Sequence, residues 1–233
     1  MTIEKKYLFV VVQQVKDFLE KTRRIQHFES TEKTTDQAIL GLMKGFCENI
    51  VKTLDTEGIL AELRSELGSS RKLELWEELK IIAFTRTTAL VYATSLLVCS
   101  LRVHLNVIGG HLYKENTQQS TEKITKEVQT MYSLVLIQHL MSSGLTQLIN
   151  IVRENVTKVM KNHSLKEKMA LGDIEQIFWG IQHAVDKDIN KNLIQFILPA
   201  EFHRTHQEEN LSKMIFDAID VYECGDFIEV CEA

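Results

Sequence analysis

His203 and His206 stand three residues apart in a short HRTH run, a spacing that lets one helical face present two imidazoles to a metal ion. No carboxylate–histidine set of the kind that holds paired iron in helical bundles accompanies them, so a solvated pair beside a loop is the default. His104 and His111 flank the pair Gly109-Gly110. With no acid nearby in sequence to orient either ring, each reads as a core histidine hydrogen-bonded to backbone. Glu74, Glu77 and Glu78 surround Trp76. Paired carboxylates do acid–base work only when their environments drive their acidities apart. Near the start of a predicted helix, these three instead complement the positive end of the dipole. Phosphate-cradling glycine loops, the zinc-protease pair of histidines and the nucleophile elbow are all absent from the sequence. Neither a metal nor a cofactor is expected, and no catalytic residues are assigned.

Those side chains must be positioned by a chain of 233 residues, 44% hydrophobic and 25% charged, enough to bury a real core. One proline, Pro199, and ten glycines argue against an all-β chain rich in turns. The net charge of −5 is a poor basis for nucleic-acid binding, which needs a basic footprint. Cys47, Cys99, Cys224 and Cys231 are scattered, and buried thiols explain them better than a disulfide framework. No stretch reads as a spanning segment of about 20 apolar residues. The run 7–12 (YLFVVV) stops at two glutamines, and Ala89 to Leu101, with 13 residues, reads as a buried core helix.

The periodicity is helical almost throughout. A first helix is predicted over 5–27, and a second stripe runs Ile39, Leu42, Met43, Phe46, Cys47, Ile50, Leu54, with Thr35 or Asp36 to cap it. Thr56 to Leu67 is a shorter amphipathic segment. Gly68-Ser69-Ser70 then reads as a C-cap followed by an N-cap. A long central helix is predicted from Arg71 to about Ile108, apolar nearly all round in its second half, where Gly109-Gly110 either ends it or admits another backbone. Tyr113 to Glu122 reads as a surface loop. Helices follow from Lys123 to Ser142, broken by Ser143-Gly144, then from Leu145 to Met160, Ser164 to about Asp188 and His206 to Tyr222. The run Leu193 to Leu198 is the one place where a short strand competes. The expectation is all-α: a single elongated helical bundle over 1–233 with a long central helix.

Trp76 is the unusual residue. Leu75, Leu79 and Ile82 make the core stripe of its helix, and Trp76 lies about 100° round from Leu75, on the stripe's margin. Lys72 stacks over it at i, i+4. Two readings stand side by side: a core-edge ring packed inward, or an exposed aromatic anchor for a partner.

The run from Lys72 to Tyr113, KLELWEELKIIAFTRTTALVYATSLLVCSLRVHLNVIGGHLY, closely resembles the most characteristic segment of the peroxisomal biogenesis factor 3 (peroxin-3) family. The likeness extends upstream through Arg23-Arg24 and 27–30 (HFES). Downstream it covers Ile137 to Leu140, Gly144 to Thr146 and Ser164 to Lys166, and it is weaker from Trp179 onward. The resemblance implies a non-enzymatic docking receptor for peroxin-19, the soluble chaperone of peroxisomal membrane proteins, at the cytosolic face of the peroxisomal membrane. An amphipathic helix of the partner would lie in a hydrophobic groove. By the same resemblance Trp76 and Lys72 lie at that groove. A groove leucine on the preceding helix corresponds to Leu63, with two extra residues intervening in this chain. Leu60 stands where family members can have threonine.

Family members begin with a membrane anchor and a basic cluster and continue with further helices beyond the region of Cys231. The sequence therefore reads as a relative lacking both, with an exposed apolar patch where helices are missing, and by itself cytosolic. A truncated non-functional or decoy relative is one alternative. An enzyme with an unrecognised site in the bundle core is another.

Overall fold

A computed structural model describes residues 3–65, 68–117, 123–189, 193–199, 209–225 and 227. Among them every regular element is helical. The elements are α1 (Ile3–Thr53), α2 (Glu57–Arg64), α3 (Ser69–Asn116), α4 (Lys126–His139), a π turn (Leu140–Gly144), α5 (Leu145–Met160), α6 (Leu171–Ile189), α7 (Leu193–Ile197) and α8 (Glu209–Glu223). The all-α expectation holds, and α3, with 48 residues, is a long helix on which α1, α2, α5 and α8 pack.

The helix predicted to end near residue 27 instead continues without a break to Thr53, 51 residues in all. Residues 28–38 contain neither glycine nor proline, and their polar side chains are used inside the helix. Thr31, Thr34 and Thr35 each donate to the carbonyl four residues back. Asp36, expected as a cap, shares Arg102 of α3 with Glu32 at 3.1 and 3.2 Å. The C-terminal half of α1 buries Ile39, Phe46 and Ile50 against the bundle, and Leu54 just beyond its end joins them. Arg86 of α3 donates to the Leu54 carbonyl there, satisfying an oxygen that the end of α1 leaves unpaired.

Gly109-Gly110 does not end α3, which runs on to Asn116, so the loop expected from Tyr113 starts later. Neither does the pair admit another backbone: the close approach is made by side chains of α1, at Gly109 alone. His27 Nε2 lies 2.7 Å from the Gly109 carbonyl oxygen, and a Cβ on Gly109 would meet Thr31 Oγ1 at 2.9 Å. The start of α3 also departs from expectation: Gly68 is its extended N-cap, and no side chain among the described residues caps it. The second half of α3 is not buried all round. Ala89, Ala93, Leu97 and Leu101 face the core, whereas Leu90 and Val91 face outward.

Ser143-Gly144 does not interrupt the next helix either. The backbone passes through the π turn from α4 into α5, and a Cβ on Gly144 would lie 1.9 Å from the Phe196 carbonyl oxygen. Glycine is there because α7 crosses against it, not because the helix stops. The run with strand character, Leu193 to Leu198, is the helix α7, with Phe196 and Ile197 fully buried. Packing decided that segment, since so short a run has no periodicity of its own. Helix α6 starts at Leu171, seven residues later than predicted. The intervening 161–170 is turn and coil, and Asp173 accepts from the Ala170 amide at 2.8 Å.

Two helical rods, Ser69–Asn116 and Lys126–Met160, are long and apolar enough to cross a bilayer by length and composition, correcting the expectation that none would be. Their apolar residues, Leu97, Leu101, Leu136 and Leu148 among them, are core residues.

Candidate partner-binding site

Trp76 is 54% exposed, which decides against the inward-packed reading. The reason is local. Leu75 and Ile82 carry the buried stripe of α3, at 1% and 4% exposure, and Trp76 lies one residue off that stripe. The ring stands at a cleft of about 360 Å³ lined by Thr56, Leu79, Ala83, Arg86 and Leu165, with Lys80 and Ile82 toward its base. Leu79, Ala83 and Arg86 follow Trp76 at i+3, i+7 and i+10, so one face of α3 supplies the floor. Thr56 comes from the link between α1 and α2, and Leu165 from the segment between α5 and α6.

Charged side chains fix these walls. Lys80 is 11% exposed, and its Nζ reaches Glu77 at 2.5 Å and the His163 carbonyl oxygen at 2.6 Å. That second bond clips the segment bearing Leu165 onto α3. Arg86, donating to Leu54, holds the α1–α2 link on the other side. Arg71 grips Glu62 of α2 through two parallel bonds, Nε to Oε1 at 2.9 Å and Nη2 to Oε2 at 3.2 Å, and adds Glu74 at 3.1 Å. Its hydrogen bonds to Glu62 and then to Glu74 raise the guanidinium's pKa even further above its ordinary value. The three glutamates are thus each in an ion pair, Glu78 with Arg153 at 3.7 Å.

Leu60 and Leu63 lie half-buried on α2, which Arg71 fastens beside the first turns of α3. Lys72 is exposed one turn before Trp76. None of these three lines the cleft at Trp76. The sequence reading missed Thr56, Ala83, Arg86 and Leu165. Ala83 and Arg86 had a signal in their helical register with Trp76. Leu165 had none, because it reaches the cleft only through the clip at Lys80.

The histidines fall differently from expectation. His111 does have an acid to orient it: Asp217 of α8 lies 2.8 Å from its Nε2. His104 is buried, at 2% exposure, but neither ring nitrogen has a hydrogen-bond partner among the described residues. It lies edge-on between Tyr132 and Tyr222, and burial lowers its pKa to about 3. His203, His206 and Cys231 lie outside the described residues. Among those described, no three metal-ligating side chains gather. Cys47 and Cys99 are half-buried and Cys224 is exposed, and none forms a disulfide among the described residues.

The family model for Peroxin-3 matches residues 65–129, the stretch that carries Trp76 and most of the cleft floor. Peroxisomal biogenesis factor 3 of Mus musculus is 33% identical, over 97% of this chain and 66% of its own length. The Homo sapiens protein of that name is 36% identical, over 85% of this chain and 56% of its own. The chain belongs to the peroxin-3 family. Peroxisome biogenesis protein 3-1 of Arabidopsis thaliana is a more distant relative, 26% identical over 69% of the chain. The chain spans between about half and two thirds of the length of these peroxin-3 relatives. Their names are those of biogenesis factors and not of enzymes.

Proposed function

We propose that this chain is a docking receptor in peroxisome biogenesis, stationed at the cytosolic face of the peroxisomal membrane. It binds an amphipathic helix of peroxin-19 in the cleft beside Trp76. The observation that carries this reading is a half-exposed tryptophan at the mouth of an apolar cleft. An exposed indole on a rigid helix offers a large contact area at little entropic cost, and such residues dominate helix-in-groove recognition. Leu79, Ala83 and Leu165 supply the apolar floor and wall for guest side chains. Leu63 and Leu60 extend the apolar surface along α2, and Lys72 covers the indole with its stem while its ammonium meets acidic groups on the guest.

No covalent chemistry is involved. The guest helix exchanges hydration for apolar contact and bears the cost of folding, so affinity rests on a few anchors. Titration calorimetry of the chain with an N-terminal peroxin-19 peptide is the test. Saturable one-to-one binding, competed by excess unlabelled peptide, is expected. Absence of binding by a folded sample would sink the proposal.

A further inference from the structure

One cation in the cleft at Trp76 has no counter-charge. Arg86 lies on the cleft floor, ten residues and about 15 Å along α3 from Trp76, and is half-buried. Its Nη2 donates to the Leu54 carbonyl, whereas its Nε is buried with no hydrogen-bond partner among the described residues. No described carboxylate pairs with it. Arg71, Arg102 and Arg153 each meet at least one carboxylate, and Arg23, Arg24 and Arg64 stand exposed. Acids around the cleft are committed elsewhere: Glu62 and Glu74 to Arg71, Glu77 to Lys80, and Glu78 to Arg153. Asp55 accepts from the Glu57 amide at 3.0 Å. Lys80, the other cation of the cleft, is thus balanced by Glu77, and Arg86 is not. Around it the lining is mostly apolar, with Leu79, Ala83 and Leu165 at the surface a guest would meet.

We propose that Arg86 sets the specificity of this cleft by pairing with a carboxylate of the guest helix. The inference rests on the reading of the cleft as a docking site for an amphipathic helix. With the cleft open, water reaches Arg86. A guest that closes it with apolar side chains alone displaces that water and strands a positive charge against hydrocarbon, which offsets the gain from burial. An aspartate or glutamate of the guest replaces the water with a charge-assisted, planar pairing that suits a guanidinium. Discrimination therefore comes as much from the penalty on guests that lack the acid as from the pair itself. Leu79 and Ala83 share a face of α3 with Arg86, so the favoured guest carries one acid at the border of its own apolar face. The bond to Leu54 fixes the guanidinium before a guest arrives, so little side-chain freedom is lost on pairing. Lys72 is a different kind of cation: it is exposed, and a pair formed there is screened and weak.

A double-mutant cycle read by titration calorimetry is the test. Each aspartate and glutamate of an N-terminal peroxin-19 peptide is replaced in turn by its amide and titrated against the parent chain, Arg86→Met and Lys72→Met. One replacement is expected to weaken binding to the parent chain by about tenfold or more, the range for close charge pairs. That replacement should change affinity for Arg86→Met by less than about twofold, and should still cost about tenfold with Lys72→Met. Arg86→Lys, which keeps the charge without the fork, should restore part of the coupling. An Arg86 that acts only by holding Leu54 would instead weaken acidic and amide peptides alike. Parent-chain binding that no single replacement weakens by more than about twofold would overturn the proposal, whether or not Arg86→Met folds. So would coupling that follows Lys72 instead of Arg86, or equal penalties in the parent chain and Arg86→Met. Those outcomes leave the docking reading standing, whereas absence of any binding by the folded parent chain would remove both.

Discussion

Lys80 Nζ donates to the carbonyl oxygen of His163 at 2.6 Å, joining residues 83 positions apart. Two residues beyond His163 stands Leu165, which walls the cleft at Trp76. A short stretch of irregular backbone is therefore held against the first quarter of α3 by a largely buried ammonium. Lys80→Met keeps the aliphatic stem and removes the clip. We expect a loss of about 1.5–3 kcal/mol in stability, the range for a hydrogen bond to a charged group. Hydrogen exchange should quicken in 163–167, and peptide affinity should fall by several-fold. Unchanged exchange and affinity would show that Leu165 is placed without the clip.

Trp76→Ala should separate binding from folding. The ring is 54% exposed, so its loss should move the melting temperature little. Loss of a central aromatic anchor costs about 2 kcal/mol or more, roughly thirtyfold in dissociation constant. Leu63→Asp should also weaken binding strongly by setting a charge against the guest's apolar face. Lys72→Ala should cost less than either. Equal affinities for the Trp76→Ala variant and the parent chain in calorimetry would remove Trp76 from the site.

Gly144 and Gly180 make an internal comparison. A Cβ on Gly144 would lie 1.9 Å from a backbone oxygen, that of Phe196, so Gly144→Ala must displace α7 or the π turn. A destabilisation of about 2–4 kcal/mol is expected, within the overpacking range and beyond. At Gly180 the nearest atom, Val159 Cγ1, is 3.8 Å away, so Gly180→Ala should be neutral or stabilising by about 0.5–1 kcal/mol. Chemical denaturation of the two variants reads both signs at once.

His104 gives the fold an acid-sensitive component. Burial lowers its pKa from 6.5 to about 3 in the folded chain. Below about pH 6.5 the unfolded state binds a proton that the folded state does not, so stability falls as pH falls. The slope from this residue approaches about 1.4 kcal/mol per unit until the folded-state pKa is reached. Denaturation at pH 7, 6 and 5 should show that loss, and His104→Phe should flatten it. A parent chain whose stability is level across this window would contradict a neutral, buried His104.

Much of this molecule was legible along the chain. The spacing of Ile39, Phe46, Ile50 and Leu54, and of Leu145, Leu148, Ile149, Val152 and Val156, specified helical faces, because burial of one stripe imposes a 3.6-residue period. Trp76 could be singled out by its offset from Leu75. Its exposure could not, since a residue on a stripe's margin turns inward or outward according to what packs beside it.

Helix ends were the least legible feature. Gly109 and Ser143-Gly144 carry breaker residues, yet the backbone is helical through both, because glycine there accommodates a neighbouring helix or carbonyl. Leu193 to Leu198 was ambiguous for want of length, and contact with the π turn and α4 decided for helix. The sequence by itself determined the all-helical class, the faces that meet the core and the residues that carry the family likeness, for these depend on local period and composition. Only the tertiary structure decided that Leu165 and Thr56 join Trp76, that Asp217 meets His111 and that His104 is buried with no hydrogen-bond partner among the described residues. Those relationships arise between elements far apart in the chain, where no local spacing records which side chains will meet.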